Sequence, residues 1–428
     1  MHAFSKQLSG LTRGVLAVTL STALTACAGY DAGALADTNA PAEWSAVAVR
    51  AVLNASAAVP GGVSPMEESR AYAMAFTAMH DALNAIERRY KPYLSDLQAP
   101  DANPDAAVAA AISNVLKAAL PSQASALDVA YVAALAQVAD GSAKTAGIAL
   151  GQKTAQAILS ARASDGSAQA QGPYTPASTP GAYQFTPPFD FAAFVNWGGV
   201  KPFVVSTANQ FRAAAPYALT DAAYTIDFVE VKALGSAGST TRTAEQTQIA
   251  RFWLENTPMS WQRIAVRIAA DKKLNGWDQA RLFALLQVAQ ADAYVASFDS
   301  KYFYKFWRPI SAIRAAASDG NADTTADAGW TSLEPSPPIP DHASGHAAAA
   351  GAGAAVLMSV FTDAVSFVHQ SETLPGVTRS FTSVSQAEQE IGLSRIYVGF
   401  HFRRAVTEGF KQGRLVGDWA VQHTMGKL

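Results

Sequence analysis

Apolar residues recur at helical spacing over most of this 428-residue chain, and no stretch alternates convincingly with the period of two that a half-buried strand shows. A chain patterned this way buries its apolar stripes by packing helix on helix. Half of its residues are hydrophobic, enough for a large core. Helices are predicted over Glu43–Ala57, from Pro65 to about Arg88, and over Asp105–Leu120, Ala124–Ala139 and Lys144–Ala163. Ser64-Pro65-Met66-Glu67 reads as a capping box with proline at the first helical position. After an irregular stretch, helices resume at Asp221–Leu234, Ala244–Glu255, Ser260–Ala270 and Trp277–Phe298, with Lys301–Ala317 continuing the pattern. Ala343–Val368, Ala387–Tyr397 and His401–Thr424 complete the set. The expected fold class is all-α: two four-helix-type bundles packed together, over residues 43–215 and 216–428.

Between the bundles, Asp165–Ser206 carries several prolines and many aromatics, as in Tyr183-Gln184-Phe185-Thr186-Pro187-Pro188-Phe189. A loop this long is usually functional or flexible. It reads either as an ordered lid or rim, or as a packed crossover. The Ala/Gly-rich run Ala347–Phe361 is too short to span a membrane comfortably and reads as a tightly packed core helix.

Residues 1–26 combine Lys6 and Arg13 with the apolar run Gly14–Leu24 and small residues before Cys27, the pattern of a secretory signal. Leu24-Thr25-Ala26-Cys27 also resembles a bacterial lipobox, with 27–42 as a tether. That resemblance implies an exported lipoprotein, at the outer membrane or facing the periplasm, held at a surface by lipid. An ordinary signal with an incidental cysteine is the alternative. As Cys27 is the one cysteine, an internal disulfide is excluded. A net charge of −2 gives no global case for nucleic-acid binding.

Chemistry concentrates in the last third, in Lys301–Arg314, Pro338–Ala350 and Ser394–Gly409. Together these blocks supply three cations (Lys301, Arg308, Arg395), His346 and His401, the Ser344 hydroxyl and the Gly345 amide. That set suits a tetrahedral oxyanion passing through a five-coordinate state. Lys301 and Arg308 are seven residues apart, two turns on one helix face, amid Tyr302, Phe303, Phe306 and Trp307. Cations in an aromatic setting need an anion. Arg308 can grip two oxygens with its planar fork, while Lys301 acts as a point charge. Ser344 reads as an N-cap, so Gly345 and His346 stand where free amides and the positive helix end favour an anion. His346 titrates near neutral pH in its unperturbed state, which suits a general acid or base. Lys305 reads as surface and His80 as a satisfied helix histidine. Asp341 and His342 either tune His346 or line the substrate entrance, with a surface loop as the alternative for His342.

The blocks resemble the vanadium-dependent haloperoxidase and type-2 phosphatidic acid phosphatase superfamily, whose pattern is K-x6-R-P, P-S-G-H and S-R-x5-H-x3-D. Lys301 and Arg308-Pro309 match the first block. Ser344-Gly345-His346 match the second, with Ala343 in place of proline, and Ser394, Arg395 and His401 match the third. FWRPISAIR resembles the haloperoxidase branch. The resemblance implies vanadate as cofactor, bound by Lys301, Arg308, Ser344, Gly345 and Arg395, with His401 as axial vanadium ligand and His346 as proton carrier. Hydrogen peroxide would then oxidise a halide to hypohalous acid, or a small organic acceptor such as a thioether to a sulfoxide, through a peroxovanadate. Ile339 and Phe298 are placed on the halide side. The same pocket in the phosphatases implies phosphate and a phosphorylated His401, and a non-enzymatic oxyanion-binding surface protein is a third reading. The closing aspartate of the pattern is Ala405 here. A backbone carbonyl or another acid must therefore hold the second nitrogen of His401; Glu408, a turn further on, faces the wrong way for this. If position 405 lies near His401, an aspartate restored there should firm the imidazole.

Overall fold

The computed structural model describes residues 37–58 and 62–428, and residues 37–428 form one compact unit. The expected signal segment and Cys27 lie outside the described residues.

The capping box forms as read. The Ser64 hydroxyl accepts from the Glu67 amide while Glu67 reaches back to the Ser64 amide, opening α2 over Pro65–Ile86. Ahead of it runs α1 (Ala40–Ala58); after it come α3 (Pro104–Ala119), α4 (Ala124–Leu135) and α5 (Ser142–Ala161). The second half holds α6 (Ala222–Leu234), α7 (Ala244–Phe252), α8 (Thr257–Asp271), α9 (Gly276–Tyr304), α10 (Pro309–Ala315), α11 (Gly345–Phe361), α12 (Val384–Tyr397) and α13 (Arg403–His423). The 29-residue α9 is buried almost all round, its polar side chains Gln287, Gln290 and Asp292 included. It packs against α2 on one side and against α11 and α13 on the other. A single apolar core runs through both halves. Among the described residues, no helix is long and apolar enough to cross a membrane.

Two expectations fail. Lys301 and Arg308 do not share a helix. α9 ends at Tyr304, Lys305 adopts a left-handed conformation (φ 50°), and Arg308 is the N-cap of α10. Pro309 accounts for the extended Arg308, because proline disfavours the helical conformation in the residue before it, so one helix cannot run through both. Second, the helix predicted over Ala343–Val368 stops at Phe361, and a hairpin of β1 (Phe367–Gln370) and β2 (Thr378–Phe381) follows. In β1, Phe367 and His369 face inward and Val368 and Gln370 outward. Four residues of alternation are easily lost beside a long alanine-rich helix.

Two buried aspartates pin loop segments to the helices, Asp81 within the first half and Asp292 between the halves. Asp81 in α2 accepts the amides of Tyr93, Leu94 and Ser95 at 2.6–2.8 Å. Asp292 in α9 accepts those of Phe203, Val204 and Val205 at 2.6–2.9 Å. Burial pushes both carboxyls up to about 6, against the pull of those amides. His80 is a satisfied helix histidine as expected, its Nε2 against the Lys91 carbonyl.

α11 and α13 run side by side in parallel, with glycine and alanine at the seam. A Cβ on Gly413 would lie 1.9 Å from the Ala348 carbonyl oxygen, and one on Gly409 2.7 Å from that of Ser344. Only glycine permits this approach. The first turns of both helices therefore end side by side.

Candidate active site

The break after α9, the first turn of α11 and the segment between α12 and α13 meet at a cavity of about 470 Å³. Lys301, Arg308, Gly345, His346, Arg395 and His401 all line it. Six of the seven expected site residues thus converge from segments up to a hundred positions apart. Ser344 is buried one residue behind the wall, where its Oγ caps α11 by accepting from the Ala347 amide. Its hydroxyl proton is still free to be donated.

Lys301, Arg308 and Arg395 are at most 1% exposed. Among the described residues, none of their hydrogen bonds goes to a carboxylate. Lys301 Nζ donates to the carbonyls of Pro340 (2.8 Å) and Asp341 (3.0 Å). Arg308 donates to the carbonyls of Ile339 (2.7 Å) and Phe400 (2.8 Å), and Arg395 to Ser394 Oγ and the Trp253 carbonyl. Burial pushes the lysine far below its usual range, with the neighbouring Arg308 adding to the effect, and brings Arg395 down to about 9. Buried charge is costly unless matched, so this cradle is built for an anion.

His401 is held at both nitrogens. Nε2 lies 3.1 Å from Arg308 Nη1, which can only donate, so Nε2 is the acceptor. Nδ1 therefore carries the proton and gives it to Asp341 Oδ1 at 2.8 Å. Burial, then Arg308 and Lys301, push His401 well below its ordinary range, so it is neutral. Burial raises Asp341 to about 7, against Arg308 and Lys301, which pull it down. His346 is also driven well down, by burial and then Arg395. Its Nε2 is shielded from solvent and has no partner, although the ring lines the cavity.

Asp341 is the site residue whose role sequence reasoning missed. It serves His401 rather than His346. Its proximity in sequence to His346 pointed to the wrong histidine, since contact with His401 spans 60 positions. His342 is not on the surface: it is 1% exposed, its Nε2 bonds the Ala214 carbonyl, and burial lowers it to about 4. Glu408 faces away, paired with Arg404 and Lys411. Lys305 is exposed, as expected.

The outer part of the cavity is apolar. Phe298 and Ile339 line it as expected, joined by Phe189, Phe191 and Phe194 from the aromatic stretch. That stretch is a rim, tied to the second half by the Ala193 amide donating to the Pro338 carbonyl. Gly62–Glu67, ahead of and opening α2, form a further wall that no sequence signal announced.

Residues 281–428 match the model of the VCPO second helical-bundle domain. The vanadium chloroperoxidase of Curvularia inaequalis is 34% identical over a match covering 28% of this chain and 24% of that protein. The match spans about a quarter of that relative. A bacterial vanadium-dependent iodoperoxidase of known structure superposes with a TM-score of 0.78 at 26% identity, over 90% of this chain and 97% of that one. A holo-type bacterial vanadium-dependent chloroperoxidase gives a TM-score of 0.68 at 17% identity, over 84% and 92%, and so shows a common fold.

Proposed function

We propose that this chain, which belongs by its fold and its second helical bundle to the vanadium-dependent haloperoxidases, binds vanadate in the cationic cavity and uses hydrogen peroxide to oxidise halide. The observation that carries the reading is His346 Nε2, buried without a partner in a cavity whose three cations hydrogen-bond to no carboxylate among the described residues. The donors present fit an anionic metal oxide. Among the described residues no cluster of carboxylates, histidines and cysteines could hold a divalent cation.

Lys301, Arg308 and Arg395 would bind the oxygens of the oxyanion, with the Gly345 amide and the Ser344 hydroxyl completing the cradle. His401, its ring fixed by Asp341, would present its Nε2 lone pair to the group. Bound vanadate supplies a Lewis-acidic centre at its highest oxidation state, able to polarise peroxide toward a nucleophile. His346, its Nε2 without a partner, would carry protons to and from the oxygen nearest it. The apolar rim excludes water from the approach of halide or of a small organic acceptor such as a thioether.

The same cradle fits phosphate. Asp341 removes one objection to a phosphatase, because His401 has an acidic partner despite Ala405. One experiment separates the two. Purified protein is assayed with each halide and peroxide on a 1,3-diketone acceptor, and separately on an aryl phosphate, with and without vanadate. We expect vanadate to switch on halogenation. Phosphate-ester hydrolysis inhibited by vanadate would replace this reading by the phosphatase one.

The amino-terminal pattern supports export and attachment through a lipidated Cys27. Radiolabelled fatty acid incorporated by the wild type and not by Cys27→Ser is the expected result.

A further inference from the structure

An acid at the third position of a helix reaches back to the amide at the helix N-cap, the second half of a capping box. α2 uses this device, through Glu67 and the Ser64 amide. α13 opens with a similar cap conformation, Phe402 at φ −67° and ψ 151°, but its third residue is Ala405 and its cap makes no side-chain hydrogen bond. Side chains in a first turn lean toward the helix start. An acid at 405 would therefore be directed at the Phe402 amide and, one residue earlier, at the ring of His401.

Another segment already supplies a carboxyl at that place. Asp341 takes the His401 Nδ1 proton at 2.8 Å, and the Phe402 amide faces the same carboxyl. Asp341 is itself firmly set: it is 1% exposed, its amide donates to the Phe306 carbonyl, and its own carbonyl accepts from Lys301. One residue thus ties the lysine of the cradle through its main chain and the histidine through its side chain.

We infer that Asp341 is the positioning residue of His401, performing from the loop before α11 the task that helix geometry would give to an acid at position 405. With Arg308, which donates to Nε2 at 3.1 Å, it holds the ring in the Nδ1–H tautomer, the one whose Nε2 lone pair can pass from that guanidinium to the oxyanion's central atom. This inference rests on the proposed vanadate site for its effect on binding, but not for its effect on the tautomer. It also reverses the expectation that an aspartate restored at 405 would help. With Asp341 present, a second carboxylate competes for the same two donors and repels the first.

The test has two arms. Nitrogen-15 NMR of the His401 ring, without vanadate, should find the Nδ1–H tautomer in the wild type and in Asp341→Asn, whose amide oxygen still accepts. It should find the Nε2–H form growing in beside it in Asp341→Ala, where Arg308 alone still favours Nδ1–H, and receding again in Asp341→Ala/Ala405→Asp. Calorimetry of vanadate binding should give a loss of about ten- to a hundred-fold in Asp341→Ala, as is typical for such supporting groups. The double variant should recover most of it, whereas Ala405→Asp alone should bind more weakly than the wild type. A tautomer indifferent to Asp341 overturns the inference. So does a gain in affinity from Ala405→Asp alone, a result that does not depend on Asp341→Ala folding. If the wild type binds no vanadate, the proposed function fails while the NMR arm still decides the role of Asp341.

Discussion

Two sets of buried polar groups, lying on the same pillar of helices, are treated in opposite ways. Asp81 and Asp292 each accept three backbone amides and sit where chain segments must be pinned to α2 and α9. Around the cavity, three buried cations have only neutral partners and His346 Nε2 has none. Satisfied groups of the first kind stabilise the fold. Groups of the second kind weaken it until a ligand arrives. Between these two charged sets burial is the same, and the difference lies in whether the partners are already in the protein.

That contrast can be broken most directly at the proposed metal ligand. His401→Ala should abolish measurable vanadate binding by calorimetry while leaving the helical circular dichroism unchanged. Retained affinity would remove the axial assignment. His346→Ala should keep vanadate bound but slow halide oxidation by about a hundred- to ten-thousand-fold, the usual weight of a general acid–base group. A rate within a few-fold of the wild type would make His346 part of the scaffold. On the scaffold side, Asp292→Ala strips three amides of their acceptor, each worth about 1–3 kcal/mol when left buried and unpaired. Denaturant unfolding should show a loss of several kcal/mol; an effect under about 1 kcal/mol would void the distinction.

Smaller effects sharpen it. Lys301→Met exchanges an unmatched buried charge for an apolar side chain of similar length. Removing a buried amine with no acidic partner relieves its desolvation cost, so this variant should melt higher than the unliganded wild type yet bind vanadate weakly. A lower melting temperature would mean that the lysine is structural. Finally, phosphate or vanadate at a hundred times its dissociation constant should stabilise the wild type by about 2.7 kcal/mol. Lys301→Met should show little of this at the same concentration.

Much of the molecule was legible because its determinants are local. The capping box at Ser64 and the helical periods of α1 to α5 depend on neighbours a few residues apart. The three motif blocks named six residues that line the cavity and a seventh just behind it, and the resemblance supplied their grouping. What escaped was set by long-range packing. The helix break at Lys305 could have been read from Pro309, but the apolar period ran on through it. The pairing of Asp341 with His401 joins two loops, and no spacing rule links them. The wall contributed by Gly62–Glu67 depends on how the first half docks against α9.

The seam between α11 and α13 has a consequence for how the site wears out. With glycine and alanine at the contact, the pair has few side-chain rotations through which to yield. His346 rides on the first turn of one helix, and His401 stands two residues before the other. The spacing of the two histidines is therefore gauged by backbone against backbone, deep in the core, not by the loops around the cavity mouth. On warming, the site should hold its calibration while the rim loosens, and then fail abruptly when the helix pair parts. A single methyl group added at Gly413, about three turns along from His401 and against the Ala348 carbonyl, should already put that gauge out of true.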